Sequence, residues 1–148
     1  MTDLGVLAAQ LLDGFQRELF TRLAQLGHEG LRPRHGAVMA YLALTGTRAS
    51  ELSERSGQHK QVIGTLIDEL EHLGYVTRQP DPADRRAKLI VPTERGRDEI
   101  TEAGRIIADI ERRFARKVGA DRFAEFRAVF EEVARDYRQA RATTVSRS

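Results

Sequence analysis

Apolar residues recur at helical spacing at both ends of the chain, with polar residues between them. The first stripe predicts a long helix over about residues 3–27, which ends near Gly27. Two more stripes predict two long helices within about residues 97–141, and Asp121 is the expected cap of the second. The three stripes consist of Leu4, Leu7, Leu11, Phe15, Leu19 and Leu23, then Ile100, Ile107, Ile110, Phe114 and Val118, then Phe123, Phe126, Phe130, Val133 and Tyr137.

Shorter helices are predicted between these ends. Pro33 suits the first turn of a helix that reaches about Leu44, and Thr47 is the expected N-cap of a short helix over residues 49–55. A third helix is predicted over about residues 59–73, and a glycine follows it, as is common at helix ends. The inward face of this third helix is predicted to carry Val62, Ile63, Leu66, Leu70 and Leu73.

Two strand-like runs follow, over residues 75–79 and 88–91, separated by the sequence PDPADRRA. This segment is too rich in Pro and Asp for a strand interior, so we expect a polar loop. Thr93 is the expected N-cap of the next helix. The predicted fold is mainly α with a small two- or three-stranded β wing. It is one domain over residues 1–148, with a winged helix-turn-helix lobe at about residues 33–96 on a helical dimerisation base.

The apolar stripes at the two ends exceed what one small winged domain can cover. Four of the six phenylalanines lie between residues 114 and 130. Two copies of the chain can cover these stripes, so we predict a symmetric homodimer, and burial within a single chain is the alternative for each residue. The predicted interface contains Leu4, Leu7, Leu11, Phe114, Phe123, Phe126 and Phe130.

Composition and charge narrow the possible partners. The 148 residues are 41% hydrophobic and 31% charged, which is a globular composition, and the net charge is only +2. The charges are unevenly distributed, because residues 75–97 contain six basic and three acidic residues and residues 58–67 contain no acid. A locally basic face on a near-neutral body suits a protein that binds DNA and releases it.

Other functional classes are disfavoured by what the sequence lacks. The chain has no cysteine, which excludes disulfides and thiol chemistry. Its N-terminus does not resemble a signal peptide, and no apolar run approaches the roughly 20 residues of a membrane span. We therefore expect a cytoplasmic protein. The polar segment 142–148 is expected to be a flexible tail.

Three motifs, taken together, resemble the MarR family of winged helix-turn-helix transcription regulators. They are LSERSG…VIGTLIDELEHLGYVTR, the wing sequence DPADRRA with its Asp-x-Arg at Asp84 and Arg86, and LIVPTERG. All three occur in the family's order and spacing. The resemblance implies a DNA-binding regulator that acts as a ligand-responsive repressor at a palindromic operator. A two-fold dimer would place the half-sites roughly 10 bp apart.

The DNA-binding residues are expected on the third helix and the wing. On the helix, Gln61 can pair with adenine, Lys60 with guanine and Thr65 with a thymine methyl, and each can instead contact phosphate. Gly64 is interpreted either as a point of close backbone approach or as a tolerated small residue. The resemblance implies that Asp84 braces the guanidinium of Arg86 in the minor groove. The full predicted set is Gln58, His59, Lys60, Gln61, Gly64, Thr65, Asp84, Arg85, Arg86 and Lys88.

The resemblance also implies a cleft for a small aromatic or phenolic effector. Its candidate residues are Phe15, Leu19, Arg34, His35 and Met39. His35 is interpreted either as a polar cleft residue or as a partly buried side chain. We predict no cofactor and no metal, although metal binding by His28 and His35 is left open, and no motif favours an enzyme.

Two other functions remain open at this point. The first is a ligand-independent or architectural DNA-binding dimer, whose DNA affinity no small molecule would change. The second is a winged-helix protein-interaction module, in which the basic residues would be dispensable. DNA binding by such a module would lack sequence preference and a steep salt dependence.

Overall fold

The computed structural model describes residues 1–145, with side chains as far as Arg141. It is mainly helical with one three-stranded antiparallel sheet, as predicted. The chain forms two compact units, Met1–Ile107 and a segment that begins at Ala108. The last part of the expected flexible tail, residues 146–148, lies outside the described residues.

Helix α1 spans Leu4–Gln25, where the first apolar stripe predicts it. It begins where the carboxylate of Asp3 accepts a hydrogen bond from the amide of Val6 at 2.9 Å, which satisfies one of the free donors at a helix start. Gly27 follows the helix in the left-handed conformation, with φ +96°. Leu23 near its end is fully buried.

The second helix is much shorter than predicted. One 3₁₀ turn, Pro33–His35, leads into α2, Gly36–Met39, which ends well before Leu44. The amide of Ala43 instead donates to the hydroxyl of Thr47 at 3.0 Å. The Thr47 hydroxyl thus binds a backbone amide that would otherwise donate within a continued helix. Thr47 closes the turn after α2 and does not cap the next helix as predicted.

Helices α3, Ala49–Ser56, and α4, Lys60–His72, form the helix-turn-helix. Gly57 joins them with φ +73°, a conformation that glycine adopts without strain. The prediction that Val62 faces inward is wrong, since 41% of this residue is exposed. It lies at the edge of the buried face, whose members on α4 are Ile63, Leu66, Ile67 and Leu70.

The sheet has the strand order β1-β3-β2. Its strands are β1, Thr47–Arg48, β2, Val76–Asp81, and β3, Asp84–Pro92. Strands β2 and β3 form the wing and continue closer to its tip than predicted, so the loop expected over residues 80–87 is reduced to Pro82 and Ala83. Pro80 is accommodated because β2 is an edge strand, where a missing N–H need not remove a ladder hydrogen bond.

The winged lobe has its own hydrophobic core. Side chains from α2, α3, α4 and the sheet pack together with little contact with solvent. The buried members are Leu31, Val38, Met39, Leu42, Leu52, Ile63, Leu66, Ile67, Leu70, Tyr75, Val76 and Ile90. This core fixes the position of α4 and of the base of the wing.

Helix α5 spans Glu94–Val118. The hydroxyl oxygen of Thr93 accepts a hydrogen bond from the amide of Gly96 at 3.1 Å, which confirms Thr93 as the N-cap. The same hydroxyl donates to the carbonyl of Gly74 at 2.6 Å. The start of α5 is thereby tied to the chain segment that follows α4.

Helix α6 spans Ala120–Val145. The prediction that Asp121 caps this helix is wrong. Gly119, with φ +96°, reverses the chain abruptly, so the helix begins at Ala120 and Asp121 lies within its first turn. Residues 142–145, which the sequence assigned to the flexible tail, are part of the helix.

Candidate nucleic-acid interface

The exposed face of α4 begins with polar side chains that carry no negative charge. Gln58 and His59 precede the helix, and Lys60, Gln61 and Thr65 lie on its first two turns. All five are exposed, and all five belong to the predicted DNA-binding set. Donors at the exposed end of a helix are the groups that reach phosphates and base edges.

Thr65 and Gly64 define the middle of this face. The hydroxyl of Thr65 donates to the carbonyl of Gln61 at 3.1 Å, which leaves its methyl group and lone pairs for a partner. A methyl group on Gly64 would meet no atom of the described residues within 4 Å beyond its immediate helical surroundings. Packing within the described chain therefore does not require glycine at this position.

The second half of α4 carries acids that are already paired. Arg78 on β2 donates to Asp68 at 2.6 Å and to Glu71 at 2.8 Å. These contacts neutralise the acids and hold β2 against the helix. Arg78, one of the cations of the basic segment, is thus engaged within the lobe.

The wing carries three exposed cations, Arg85, Arg86 and Lys88, which form no ion pair with any described residue. The carboxylate of Asp84 accepts a hydrogen bond from the backbone amide of Arg86 at 3.1 Å. The expectation that Asp84 braces the guanidinium of Arg86 is therefore not met. The short Asp side chain bonds the backbone two residues ahead, as in an Asx turn, and the guanidinium faces solvent.

A second aspartate of the wing makes the ion pair that sequence reasoning missed. Asp81 accepts a hydrogen bond from the amide of Ala83 at 2.9 Å and another from Nε of Arg48 at 2.6 Å. The Ala83 amide and then Arg48 lower the pKa of Asp81. The Asp-Pro-Ala sequence could have indicated the turn, but no local pattern links it to Arg48.

His35 anchors the start of α2 to the second half of α4. Its Nδ1 accepts a hydrogen bond from the amide of Arg32 at 2.9 Å, so its Nε2 carries the proton and donates to Glu69 at 2.7 Å. Arg34 donates to the same carboxylate at 3.1 Å. The His35 and Arg34 hydrogen bonds lower the pKa of Glu69.

The five candidate cleft residues do not line one groove. His35 and Met39 are buried, and Phe15 and Leu19 are half-buried on α1. Arg34 alone lines a groove of about 550 Å³ beside α4. The other residues along this groove are Ala37, Gln58, Gln61, Val62, Thr65, Leu66 and Glu69.

His28 is buried and belongs to a second hydrogen-bonded network. Its Nδ1 lies 2.9 Å from the hydroxyl of Tyr75, and its Nε2 lies 2.9 Å from the carboxylate of Asp98. The guanidinium of Arg95 lies over the Tyr75 ring, 4.6 Å from its centre. Both ring nitrogens of His28 therefore face protein groups. Within the described part of the chain, no group of three or more His, Asp or Glu side chains is placed to hold a metal ion.

Glu99 is a buried carboxyl group in the same region. Only 4% of the residue is exposed. Burial, with a smaller contribution from the charge of Asp98, raises the pKa of Glu99 from 4.5 to about 7. Its protonation state therefore changes near neutral pH, which the sequence did not indicate.

Comparison with known proteins shows which family this lobe resembles. Residues 29–87 match the MarR family. CouR from Rhodococcus jostii RHA1, in its structure bound to p-coumaroyl-CoA, is 27% identical with a TM-score of 0.72, over 89% of this chain and 92% of CouR. The winged lobe of this chain is similar to the MarR family. The family resemblance and the winged helix fold that the sequence predicts are both confirmed.

Two further relatives show how far this similarity to the MarR family extends. The uncharacterized HTH-type transcriptional regulator YcgE of Bacillus subtilis (strain 168) is 36% identical over 61 residues, which are 41% of this chain and 40% of YcgE. The chain thus spans less than half of that curated relative. A crystal structure of MarR has a TM-score of 0.76 at 23% identity, over 96% of this chain and 95% of MarR, and supports the fold alone.

Most residues predicted for a dimer interface lie on exposed apolar faces of this chain. On α1, Leu4 is 69% exposed, Leu7 50% and Leu11 37%. On α6, Phe126 is 49% exposed and Phe130 44%, and the centres of their stacked rings lie 5.6 Å apart. Tilted ring pairs at 6.2 Å extend this row through Phe123 to Phe114.

No helix among residues 1–145 is long and apolar enough to cross a membrane.

Proposed function

We propose that the protein is a transcription regulator that binds a palindromic DNA operator as a homodimer and represses transcription. The observation that carries this proposal is the exposed, acid-free start of α4. The wing cations, which form no ion pair with any described residue, lie on the same lobe. A helix of this kind fits a major groove, and a basic ribbon fits the adjacent backbone or minor groove.

The distribution of paired and unpaired charge supports this orientation. Acids on the second half of α4 are paired with Arg78, Arg34 and His35. The first half of the helix presents Lys60 and neutral donors. The helix would therefore enter a groove with its N-terminal half, where no acid repels phosphate and the helix dipole favours an anion.

The exposed apolar faces on α1 and α6 support the homodimer. Large apolar side chains exposed in rows mark a surface that another protein covers. A two-fold assembly would present two copies of α4 to successive major grooves, so the half-sites would lie roughly 10 bp apart. Because the proposed partner is the chromosome, a cytoplasmic location is part of this proposal.

A small aromatic or phenolic effector is a further part of the proposal. The CouR structure contains p-coumaroyl-CoA, and a second CouR structure, of the transcriptional repressor on a 23-mer DNA duplex, is 21% identical to this chain. The groove beside α4 is a candidate effector site here. Its lining includes three proposed DNA contacts, Gln58, Gln61 and Thr65, so an occupant would compete with DNA. It would lower DNA affinity only by as much as it prefers the DNA-free protein.

Selection of sequences from a random duplex pool tests the proposed function. The selected sites should share a palindrome, and affinity for them should fall steeply with salt because several phosphate contacts release counterions. Enrichment of no common sequence, together with weak salt dependence, would contradict it and favour a protein-interaction module. A phenolic acid series on the selected duplex separates the effector-responsive repressor from a ligand-independent DNA-binding dimer.

A further inference from the structure

We propose that Arg48 is a positioning residue for the wing, acting through Asp81 to hold the wing turn against the helix-turn-helix. The two side chains meet at 2.6 Å between Nε and Oδ2. Arg48 is the residue immediately before α3, and Asp81 is the last residue of β2. The pair therefore joins the wing tip to the start of the first helix of the motif.

The ion pair between Arg48 and Asp81 links the two outer strands of the sheet. Arg48 lies on β1 opposite Leu89, and Asp81 lies on β2 opposite Asp84, with β3 between the two strands. The side chain of Asp81 is only 11% exposed, whereas that of Arg48 is 42% exposed. Arg48 thus covers the carboxylate from the solvent side.

The two carboxylate oxygens of Asp81 accept different hydrogen bonds. Oδ1 accepts the amide hydrogen of Ala83 and so shapes the turn itself. Oδ2 accepts from Arg48 and so fixes that turn relative to the body of the lobe. The hydrogen bond from Arg48 contributes to the lowered pKa of Asp81, after that from the Ala83 amide.

The wing tip has few backbone contacts that could replace this pair. The pairing register shifts between Pro80, which faces Lys88, and Asp81, which faces Asp84, so residues 85–87 have no partner in the pairing with β2. Pro80 also lacks a backbone donor. Regular ladder hydrogen bonds thus end before the segment that carries Arg85 and Arg86.

The consequence for DNA binding rests on the proposed function. If the wing cations contact DNA, a turn held by Arg48 presents them in one position, and the loss of that position lowers affinity. The competing explanation is that exposed Arg48 contacts phosphate directly. These two explanations differ in how Arg48 and Asp81 substitutions combine.

The first test needs no DNA. In Asp81→Asn the amide oxygen can still accept from Ala83, and in Arg48→Met the apolar stem is kept, so both variants lose mainly the pair. Hydrogen exchange of the Ala83 and Arg86 amides in the full chain should become about three- to fivefold faster in either variant. Arg105→Met, which removes an exposed cation paired with Glu102 on α5, is the matched control and should leave both rates unchanged.

The second test is a double-mutant cycle on the selected duplex. Each single variant should weaken binding about threefold, and the double variant should be no weaker than either one. Arg48→Lys should recover part of the loss, because its charge can still reach Asp81 without the geometry of the guanidinium.

The outcomes distinguish a failure of the positioning role of Arg48 from a failure of the proposed DNA-binding function. Unchanged amide exchange in both variants would overturn the positioning role, and so would an Arg48→Met effect on DNA that persists in full in the Asp81→Asn background. Faster exchange without any sequence-specific DNA binding would support the positioning role and contradict the proposed function.

Discussion

Apolar side chains are buried in the winged lobe but exposed on helix α6. In the lobe, the apolar face of α4 is buried against α2, α3 and the sheet. In α6, no residue whose side chain is described, Ala120 to Arg141, is buried, although the helix carries a row of aromatic and aliphatic residues. The lobe thus buries its apolar side chains in its own core, whereas α6 presents a row of exposed apolar side chains.

This difference divides the effects expected from substitution. Changes in the lobe should alter folding stability or DNA binding and leave the assembly intact. Changes on the apolar face of α6 should alter the assembly first, and DNA binding as a consequence, because a single lobe has only half of the proposed contacts.

The largest effect is expected from Phe126→Glu. A charge in the apolar seam would have to be buried without a partner, so the variant should be a monomer at micromolar concentration. Operator affinity should then fall about a thousandfold or more, because a monomer no longer binds with two linked lobes. Sedimentation equilibrium measures the assembly. Ala128→Glu adds the same charge on the opposite face of α6 and should remain a dimer; a dimeric Phe126→Glu protein would remove α6 from the interface.

Glu99→Gln should change stability without changing the assembly. The folded protein retains the Glu99 proton up to about pH 7, whereas the unfolded chain releases it near pH 4.5. Folding therefore takes up a proton between these values, and the free energy of unfolding falls as pH rises through this window. Above pH 7, the raised pKa corresponds to a loss of about 3 kcal/mol from the free energy of unfolding. The neutral amide in the Glu99→Gln variant should restore this loss.

Urea unfolding at pH 5 and pH 8, at a fixed protein concentration, measures this effect. Glu125→Gln on α6 is an exposed control and should retain the pH dependence of the original chain. An unchanged pH dependence in Glu99→Gln would show that the carboxyl group does not carry the effect.

Arg86→Ala should weaken operator binding by more than tenfold, about 1.4 kcal/mol or more, with stability and dimer mass unchanged. The reason is that Arg86 is exposed and forms no ion pair within the described chain, so its loss removes only an external contact. Fluorescence anisotropy at matched salt is the appropriate measurement. Equal affinity of the variant would refute a role of the wing in DNA binding.

The smallest effect is expected from Gly64→Ala, and it should have opposite signs in two assays. Alanine should stabilise α4 by up to about 1 kcal/mol, because no described neighbour obstructs its methyl group. If the α4 backbone approaches DNA here, the same methyl group should lower operator affinity severalfold. A gain in stability with undiminished affinity would favour the interpretation of Gly64 as a tolerated small residue.

Local sequence patterns predicted the long elements well. The stripes located α1, α5 and α6, and glycine and threonine marked several of their ends because these residues act on the adjacent backbone. The exposed polar residues at the start of α4 and on the wing were also predicted. Each of these features depends on neighbours within a few positions of the chain.

Some errors lie where the chain turns locally, and others lie where residues far apart in sequence come into contact. Thr47 ends the turn after α2 because that turn brings it to Ala43, and Val62 is exposed because the core is centred on the other side of α4. Arg48 and Asp81 are 33 positions apart in sequence and meet only through the order of the strands. Periodicity and spacing contain no information on such contacts.

The most direct test of the central claim is footprinting of the full chain on the DNA upstream of its own gene, across a salt series. A protected palindrome with half-sites roughly 10 bp apart and steep salt dependence is predicted, because two copies of α4 would occupy successive major grooves. Protection without symmetry, or weak binding that is equal on all sequences, would contradict the account of a dimeric, sequence-specific regulator.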